Sequence, residues 1–281
     1  MGGAARNARK KRQARTASRQ GPAAAARPAP VAASSASASA GRRGPGDRKK
    51  VVIGAVVVVL LIGAVLGGVI YTNSQKNATE GQRIETASSE TSYPARREGA
   101  VVVVGEDGAD VTLDVYEDFL CPACGAFEEQ YGDDVERRVA DGTVRVRYHL
   151  LPMLNERSDP VGYSMDAANA GLCAADAGKF PEFHLSLFRA QPEEGARGWD
   201  TRQLIQLGRD LGITGSTFGS CVEGDEYDGI IRTHFDEVRE TSYLLQDHDG
   251  EKLFGTPTLA VGEKVVQPSD EDWLDKLVRD A

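Results

Sequence analysis

Two cysteines separated by two residues are the part of this 281-residue sequence best suited to chemistry. Cys121 and Cys124 enclose the pair Pro122-Ala123. Such a motif can hold a zinc ion or exchange disulfides with other thiols, so its surroundings must decide between the two. The residues before the motif predict a strand, and Cys121–Ala140 predicts a helix. Pro122 fits the first helical position, which places Cys121 at the helix N-terminus.

The two sulfurs are expected to differ in acidity. The free N–H groups and positive partial charge of a helix N-terminus stabilise a thiolate, so we expect a low pKa for Cys121. Cys124 shares the apolar face of the helix with Phe127, Tyr131 and Val135. We therefore predict that Cys121 is an exposed nucleophile and that Cys124 is a sheltered resolving thiol.

A structural zinc site is the main alternative for this motif. Zinc usually takes four ligands, with a second cysteine pair or two histidines completing the set. Cys173 and Cys221 are isolated in the sequence, and the four histidines are scattered. The sequence therefore predicts thiol–disulfide exchange with no metal and no other cofactor. An inert disulfide between the two cysteines is a second alternative.

The first 50 residues differ in composition from the rest of the chain. Residues 1–50 contain 13 lysines and arginines and one acidic residue, whereas the remainder contains 20 basic and 41 acidic residues. Because large apolar residues are almost absent from residues 1–50, we interpret them as a disordered basic tail in the cytoplasm. The acidic remainder argues against nucleic-acid binding.

Residues 51–71 form an apolar run without a charge. As a helix the run would be about 31 Å long, enough to cross a bilayer. The basic residues before it would hold the N-terminus in the cytoplasm, so we expect a single-pass anchor in the cell membrane and a catalytic domain outside the cytoplasm. A cleaved signal peptide and a buried soluble helix are the alternatives. The polar residues 72–98 predict an exposed linker.

From residue 99 onward the pattern becomes that of an α/β domain. Val101–Val104 and Val111–Tyr116 flank a turn signal and predict a hairpin. Residues from about 155 to 250 predict successive helices. The other predicted elements are a strand at Thr143–Leu151, a hairpin of Thr258–Val261 with Lys264–Val266, and a final helix at Asp272–Arg279.

Together these features resemble the thioredoxin superfamily, and specifically its DsbA-like branch of membrane-anchored thiol–disulfide oxidoreductases of actinobacterial type. The resemblance covers residues 99–281 and implies a thioredoxin fold with an inserted helical domain at about 155–250. It is carried by Asp118-Phe119-Leu120-Cys121-Pro122-Ala123-Cys124 after a strand, by Gly255-Thr256-Pro257-Thr258 before a strand, and by the segment 173–184.

The resemblance also implies roles for residues outside the motif. The proline that matches Pro257 is cis in the family and faces the redox pair, and its neighbour, here Thr256, offers backbone groups to an extended substrate. An ordinary trans turn proline is the alternative. Outside the cytoplasm we expect Cys173 and Cys221 to form a structural disulfide, with a second redox site as the alternative.

Two positions depart from the family pattern. Val115 stands where the family often has a buried acid that assists proton transfer, six residues before the first cysteine. Asp114 and Glu117 are nearby, but strand alternation places Asp114 on the opposite face from Val115. Ala123 stands in the motif where strongly oxidising members carry a histidine. His149 and His184 are expected to be packed or surface side chains.

The sequence therefore predicts an enzyme that introduces disulfides into secreted or envelope proteins, with protein or peptide thiols as substrates. The resemblance implies a membrane redox partner, such as a vitamin K epoxide reductase-like oxidase. A reductase or isomerase that receives electrons across the membrane and a redox-inactive binding or chaperone module remain open.

Overall fold

A computed structural model describes residues 65, 67–69, 71–88, 93–268 and 272–281. The described residues all belong to one compact unit, residues 59–281. The predicted tail at 1–50 and most of the predicted membrane helix at 51–71 lie outside the described residues. Within the described part, no helix has both the length and the apolar character needed to cross a membrane.

Eight strands are present in the described residues. They are, in chain order, β1 (Ala95–Glu98), β2 (Val101–Val104), β3 (Val111–Glu117), β4 (Val144–Leu150), β5 (Gln246–His248), β6 (Glu251–Leu253), β7 (Thr258–Val261) and β8 (Lys264–Val266). Six of them form one sheet in the order β1-β2-β4-β3-β7-β8, while β5 and β6 form a separate hairpin.

Seven α-helices longer than a single turn follow β3 in the described residues. They are α1 (Pro122–Ala140), α2 (Tyr163–Asp176), α3 (Phe180–Arg189), α4 (Thr201–Asp210), α5 (Thr217–Glu223), α6 (Asp228–Glu240) and α7 (Trp273–Asp280). The five from α2 to α6 are inserted between β4 and the last strands, as predicted for the helical insertion.

The centre of the sheet is the β3–α1–β4 unit. β3 pairs in parallel with β4 and in antiparallel with β7, and α1 makes the crossover. Helices cover both faces of the sheet. Tyr148 and His149 are consecutive residues of β4 that point to opposite faces, and each contacts a different helix. The Tyr148 ring packs on His184 of α3, and the His149 ring packs on His234 of α6.

The predicted hairpin of Val101–Val104 with Val111–Tyr116 is wrong. β2 pairs with β1 on one side and with β4 on the other, while β3 is flanked by β4 and β7. Runs of β-branched residues favour strands but do not specify their neighbours. The second predicted hairpin, of β7 with β8, is confirmed.

The segment 72–98 is not the exposed linker that its polar composition predicts. The Thr79 hydroxyl donates to the Arg197 carbonyl at 2.9 Å, and the Gln203 amide donates to the Thr79 carbonyl at 2.7 Å. Ile84 and Ala87 are buried, and residues 95–98 form β1. The folded domain therefore begins before residue 99, because a few apolar side chains and one strand have partners elsewhere in the chain.

Candidate active site

The turn from β3 into α1 places the cysteine pair at the carboxyl end of β3, a central strand of the sheet. β3 ends at Glu117, and α1 begins at Pro122 with Cys121 as its N-cap in an extended conformation. The Cys121 amide donates to the Asp118 carbonyl at 2.9 Å, which closes the turn. The thiol therefore lies at the positive end of a 19-residue helix.

Two side chains hold this turn in place. The buried Asp118 carboxylate accepts from the backbone N–H groups of Leu120 at 2.8 Å and Leu154 at 2.7 Å, which ties the turn to the loop after β4. The Gln191 amide donates to the carbonyls of Phe119 and Cys121, both at 3.0 Å. Both polar side chains thus bond backbone groups next to the reactive sulfur, where the Cys121 carbonyl also accepts from the Gly125 N–H at 3.1 Å.

The two thiols differ in acidity as the sequence predicts. A hydrogen bond from Cys124 lowers the pKa of Cys121 to about 6, against the effect of burial and with help from the Thr256 side chain and the amides of Cys124 and Ala123. Burial raises the pKa of Cys124 well above its usual range. Cys121 is less exposed than predicted, at 6%, because the chain around Thr256 covers it.

The chain around Pro257 faces the cysteine pair. The Thr256–Pro257 peptide is cis, and the Thr256 carbonyl oxygen lies 3.3 Å from Cys121 Sγ. This approach follows from the sheet, since the antiparallel pairing of β3 with β7 sets Tyr116 opposite Thr258. The four predicted redox and substrate residues, Cys121, Cys124, Thr256 and Pro257, thus lie at one place in the fold.

The other two cysteines are joined to each other. Cys173 of α2 and Cys221 of α5 form a disulfide with a Cα–Cα distance of 6.0 Å, while Cys121 and Cys124 are free thiols. The bond links two helices of the insertion across 48 residues of chain.

A buried acid stands below the cysteine pair, although Val115 occupies the position where the resemblance led us to look. Glu117 lies two residues further along the same face of β3 and is fully buried. Burial raises its pKa well above the usual range, and the negative charges of Asp118 and Cys121 raise it further. Glu117 is one of the two acids near Val115 in the sequence, and its burial and its position on the same strand face distinguish it from Asp114.

His184 is a buried side chain with a polar partner. Its Nε2 lies 2.5 Å from Glu117 Oε1, and its ring packs against Phe119, Tyr148 and Phe188. One oxygen of Glu128 completes a group in which an atom from each of the three residues lies within 4.8 Å of the others. The distances would suit a cation, but Glu117 and His184 already bond to each other directly.

A pair of histidines, His149 and His234, lies on the face of the sheet opposite to Glu117 and His184. His149 Nε2 lies 2.8 Å from Asp114 Oδ1, and His149 Nδ1 lies 2.8 Å from His234 Nε2. Burial lowers the pKa of His149 and lowers that of His234 to about 4, and the Arg147 charge next to Asp114 acts in the same direction. We expect both imidazoles to be neutral at physiological pH.

Residues 97–280 match the family model described as Thioredoxin. The chain belongs to the thioredoxin family. Among solved structures, this thioredoxin-family chain is similar to reduced DsbG from Mycobacterium tuberculosis, with 26% identity, a TM-score of 0.52, and 73% of this chain and 91% of that one covered. It is also similar to oxidised DsbA from the same organism, with 28% identity, a TM-score of 0.52, and coverage of 67% and 92%. The DsbA-like branch of the family is thereby confirmed.

A third solved structure shares the fold at lower identity. The MdbA protein of Corynebacterium diphtheriae, a thiol-disulfide oxidoreductase, has 19% identity and a TM-score of 0.54, with 72% of this chain and 98% of that one covered. The curated relatives include the serine/threonine-protein kinase PknE of M. tuberculosis, 32% identical over 183 residues. This thioredoxin-family chain spans about a third of the length of that kinase, since the match covers 63% of this chain and 31% of PknE.

Proposed function

We propose that this chain is an extracytoplasmic thiol–disulfide oxidoreductase that introduces disulfides into secreted or envelope proteins. Its Cys121–Cys124 disulfide is attacked at Cys121 by a substrate thiolate, which forms a mixed disulfide and releases Cys124. A second substrate thiol then attacks the mixed disulfide. The products are a substrate disulfide and the reduced cysteine pair, so two electrons pass from substrate to enzyme.

The low pKa of Cys121 is the observation that supports oxidation of substrate thiols, rather than reduction of substrate disulfides, as the direction of the reaction. A thiol with a pKa of about 6 is mostly thiolate at neutral pH. Stabilising that thiolate stabilises the reduced protein, which makes its disulfide a better oxidant. The pKa of Cys121 is low although Ala123 stands in the place of the histidine of strongly oxidising family members, because Cys124, Thr256 and backbone amides stabilise the charge.

The backbone around Thr256 supports a protein or peptide as the substrate. Its carbonyl lies next to Cys121 Sγ, so a substrate strand that reached the sulfur would meet backbone groups on the Thr256–Pro257 segment. Pairing of that kind recognises the main chain of the substrate rather than particular side chains, which suits an enzyme with many substrates.

The cellular setting is also part of the proposal. We infer that residues 51–71 anchor the protein in the cell membrane, with residues 1–50 in the cytoplasm and the catalytic domain outside. The apolar run and its basic flank support this orientation. The Cys173–Cys221 bond suits an oxidising compartment. A membrane oxidase, for example one linked to quinones, would return the cysteine pair to its disulfide.

Thiol trapping in intact cells tests the direction. We expect Cys121 and Cys124 to be mostly oxidised when the full-length protein is trapped with an alkylating reagent. A mostly reduced pair would instead favour the reductase or isomerase. A matched Cys121→Ser variant should lose support for disulfide formation in secreted proteins, and full support by that variant would favour the redox-inactive module.

A further inference from the structure

The β5–β6 hairpin stands apart from the main sheet and directly precedes the Thr256–Pro257 peptide in the chain. In the part of the chain that the structure describes, its two strands pair only with each other. All three residues of β6 are exposed, and Leu253 has 50% of its surface open to solvent. A strand with a free edge and an uncovered apolar side chain is suited to pairing with another chain.

The turn of this hairpin determines which backbone groups of β6 are free. Asp249 and Gly250 have φ values of 56° and 89°, and two positive values in a two-residue loop are typical of a type I′ turn. The residues that flank such a turn, His248 and Glu251, exchange hydrogen bonds with each other. The backbone groups of the next pair have the opposite direction, so the N–H and C=O of Lys252 point away from β5.

This free edge continues toward the reactive sulfur. The chain runs on from β6 through Phe254 and Gly255 without a turn or bend. None of the backbone hydrogen bonds between described residues uses the N–H of Phe254, Gly255 or Thr256. Because backbone groups alternate along an extended chain, Lys252, Phe254 and Thr256 present theirs to the same side. The Thr256 carbonyl lies 3.3 Å from Cys121 Sγ, so the edge that begins at β6 ends at the nucleophile.

Side-chain packing holds the hairpin in this position. The Phe254 ring is buried and meets the Tyr116 ring edge-on, with the centroids 5.9 Å apart. The Gln246 amide donates to the Thr258 hydroxyl at 3.0 Å, which joins β5 to the start of β7. Since neighbouring side chains of a strand point to opposite faces, the burial of Phe254 turns Leu253 toward solvent. The exposed leucine therefore has a fixed place beside the free edge.

We propose that the substrate binds as a third strand of this hairpin. An extended segment next to the substrate cysteine pairs with β6 and residues 254–256, and Leu253 contacts an apolar side chain of that segment. The inference rests on the proposed function and extends the substrate contact from Thr256 back to Lys252, about 13 Å along an extended chain. Main-chain pairing supplies the binding, and the leucine favours substrates with an apolar or β-branched residue a few positions from the cysteine.

Single-turnover oxidation of a synthetic peptide tests the leucine contact. The peptide has two cysteines, each flanked on both sides by valine and threonine, and dithiothreitol is the small dithiol that cannot reach β6. With the oxidised full-length protein, Leu253→Ser should oxidise the peptide about threefold to fivefold more slowly than the wild type, and dithiothreitol at the wild-type rate. Wild-type rates with the peptide, or equal slowing with both dithiols, would overturn the proposal.

Ile230→Ser is the matched control for this substitution. Ile230 is a similarly exposed aliphatic residue, but it lies on α6. The variant should oxidise the peptide and dithiothreitol at the wild-type rates. Slowing of the peptide reaction by Ile230→Ser as large as that by Leu253→Ser would show that the loss is not specific to β6, and would also overturn the proposal.

A proline substitution tests the backbone edge separately. Lys252→Pro removes the N–H that points away from β5 but none of the hydrogen bonds between β5 and β6, so the hairpin is retained. We expect oxidation of the peptide to slow about threefold or more, with no change for dithiothreitol. Lys252→Ala removes the charge, keeps the N–H and should match the wild type. An unchanged peptide rate in Lys252→Pro would show that no strand pairs at β6.

Hydrogen–deuterium exchange gives a direct measurement with β6 intact. The reduced Cys124→Ser variant attacks a single-cysteine peptide activated as its thionitrobenzoate disulfide, so Cys121 is joined to the peptide and thionitrobenzoate leaves. In this adduct the amides of residues 252–256 should exchange more slowly than in the glutathione adduct of the same variant. Equal exchange in the two adducts would overturn the proposal. Protection that rises with protein concentration in the absence of peptide would assign the edge to a second copy of this chain instead.

Failure of the proposed function would give a different result. A wild-type protein that oxidised neither the peptide nor dithiothreitol would overturn thiol–disulfide exchange itself. Wild-type oxidation of both dithiols, with no effect of the β6 substitutions, would leave the proposed function in place and overturn only the docking of substrate on the hairpin.

Discussion

The sulfur of Cys121 lies 3.3 Å from the carbonyl oxygen of Thr256, in the loop before β7 and 135 residues later in the chain. This contact brings the helix N-terminus and the Thr256–Pro257 peptide to the same place, and the Thr256 side chain helps to lower the pKa of Cys121. The nucleophile and the backbone offered to a substrate are therefore parts of one site. Substitutions at Thr256 should consequently change the pKa of Cys121.

A Thr256→Ala variant should raise the pKa of Cys121 above about 6, because it removes one of the hydrogen bonds that stabilise the thiolate. The pH dependence of iodoacetamide alkylation of the reduced protein measures this pKa. Thr256→Ser retains a hydroxyl and is the matched control, for which we expect the wild-type curve. Identical curves for all three proteins would show that the Thr256 hydroxyl does not act on the sulfur.

The reduced protein should gain stability relative to the oxidised protein as the pH rises. The folded pKa of Cys121, about 6, lies below the unfolded value of about 8.5. Between these values the folded state binds fewer protons, so the gain is fully present above about pH 8.5 and is lost as the pH falls through 6. Urea unfolding of both redox forms at pH 5.5 and pH 8 measures the difference. A difference that does not change with pH would contradict the low pKa.

Replacing Gln191 by Ala should loosen the active-site turn. The change leaves the Phe119 carbonyl without this donor and removes one of the two donors to the Cys121 carbonyl, at a cost of about 1–3 kcal/mol in the free energy of unfolding. Gly125→Ala should have a similar effect, because an added Cβ would overlap the Gln191 side-chain oxygen.

Gly229→Ala is the matched control for the glycine substitution. Gly229 lies in α6, and an added Cβ would meet no atom within 4 Å, so this variant should be neutral or up to about 1 kcal/mol more stable. Chemical denaturation of all variants measures these changes. If Gly125→Ala and Gly229→Ala were equally stable, Gln191 would not be held against α1 as the structure has it.

Removing the Cys173–Cys221 disulfide should weaken the fold without removing the chemistry. In the chain-entropy model, a loop of 48 residues contributes about 4 kcal/mol. The double variant Cys173→Ala with Cys221→Ala should therefore unfold at lower denaturant, while Cys121 reacts with glutathione disulfide at the wild-type rate. Loss of that reaction in a folded double variant would indicate that the second cysteine pair takes part in exchange.

His234 should make the protein sensitive to acid. Its folded pKa of about 4 lies below the unfolded value of about 6.5, so the folded state binds fewer protons between these values. The contribution to stability is present above about pH 6.5 and is lost as the pH falls toward 4. A His234→Gln variant, compared by urea unfolding at pH 7.5 and pH 5, should lose less stability on acidification than the wild type. An equal loss would assign the acid sensitivity to other groups.

Part of the fold could be predicted because its signals are local. The apolar face through Cys124, Phe127 and Tyr131 predicts α1, and the second hairpin follows from two strands around Gly262-Glu263. The pairing of β2 with β1 and β4 could not be predicted in this way, because the residues of β2 carry no information about which distant strand lies next to them.

The same distinction between local signals and distant contacts applies to the candidate site. The Cys-Pro-Ala-Cys motif, its place at a helix start and the direction in which the two acidities differ follow from local sequence, because Cys124 and the backbone amides that lower the pKa of Cys121 lie within about one helical turn. The further contribution of Thr256 to that pKa comes from the tertiary structure. The burial of Glu117 beside the pair, in place of an acid at position 115, and its grouping with His184 and Glu128 became visible from the packed fold alone. Those contacts join β3, α1 and α3 across up to 67 residues of chain, and they depend on how the three elements pack.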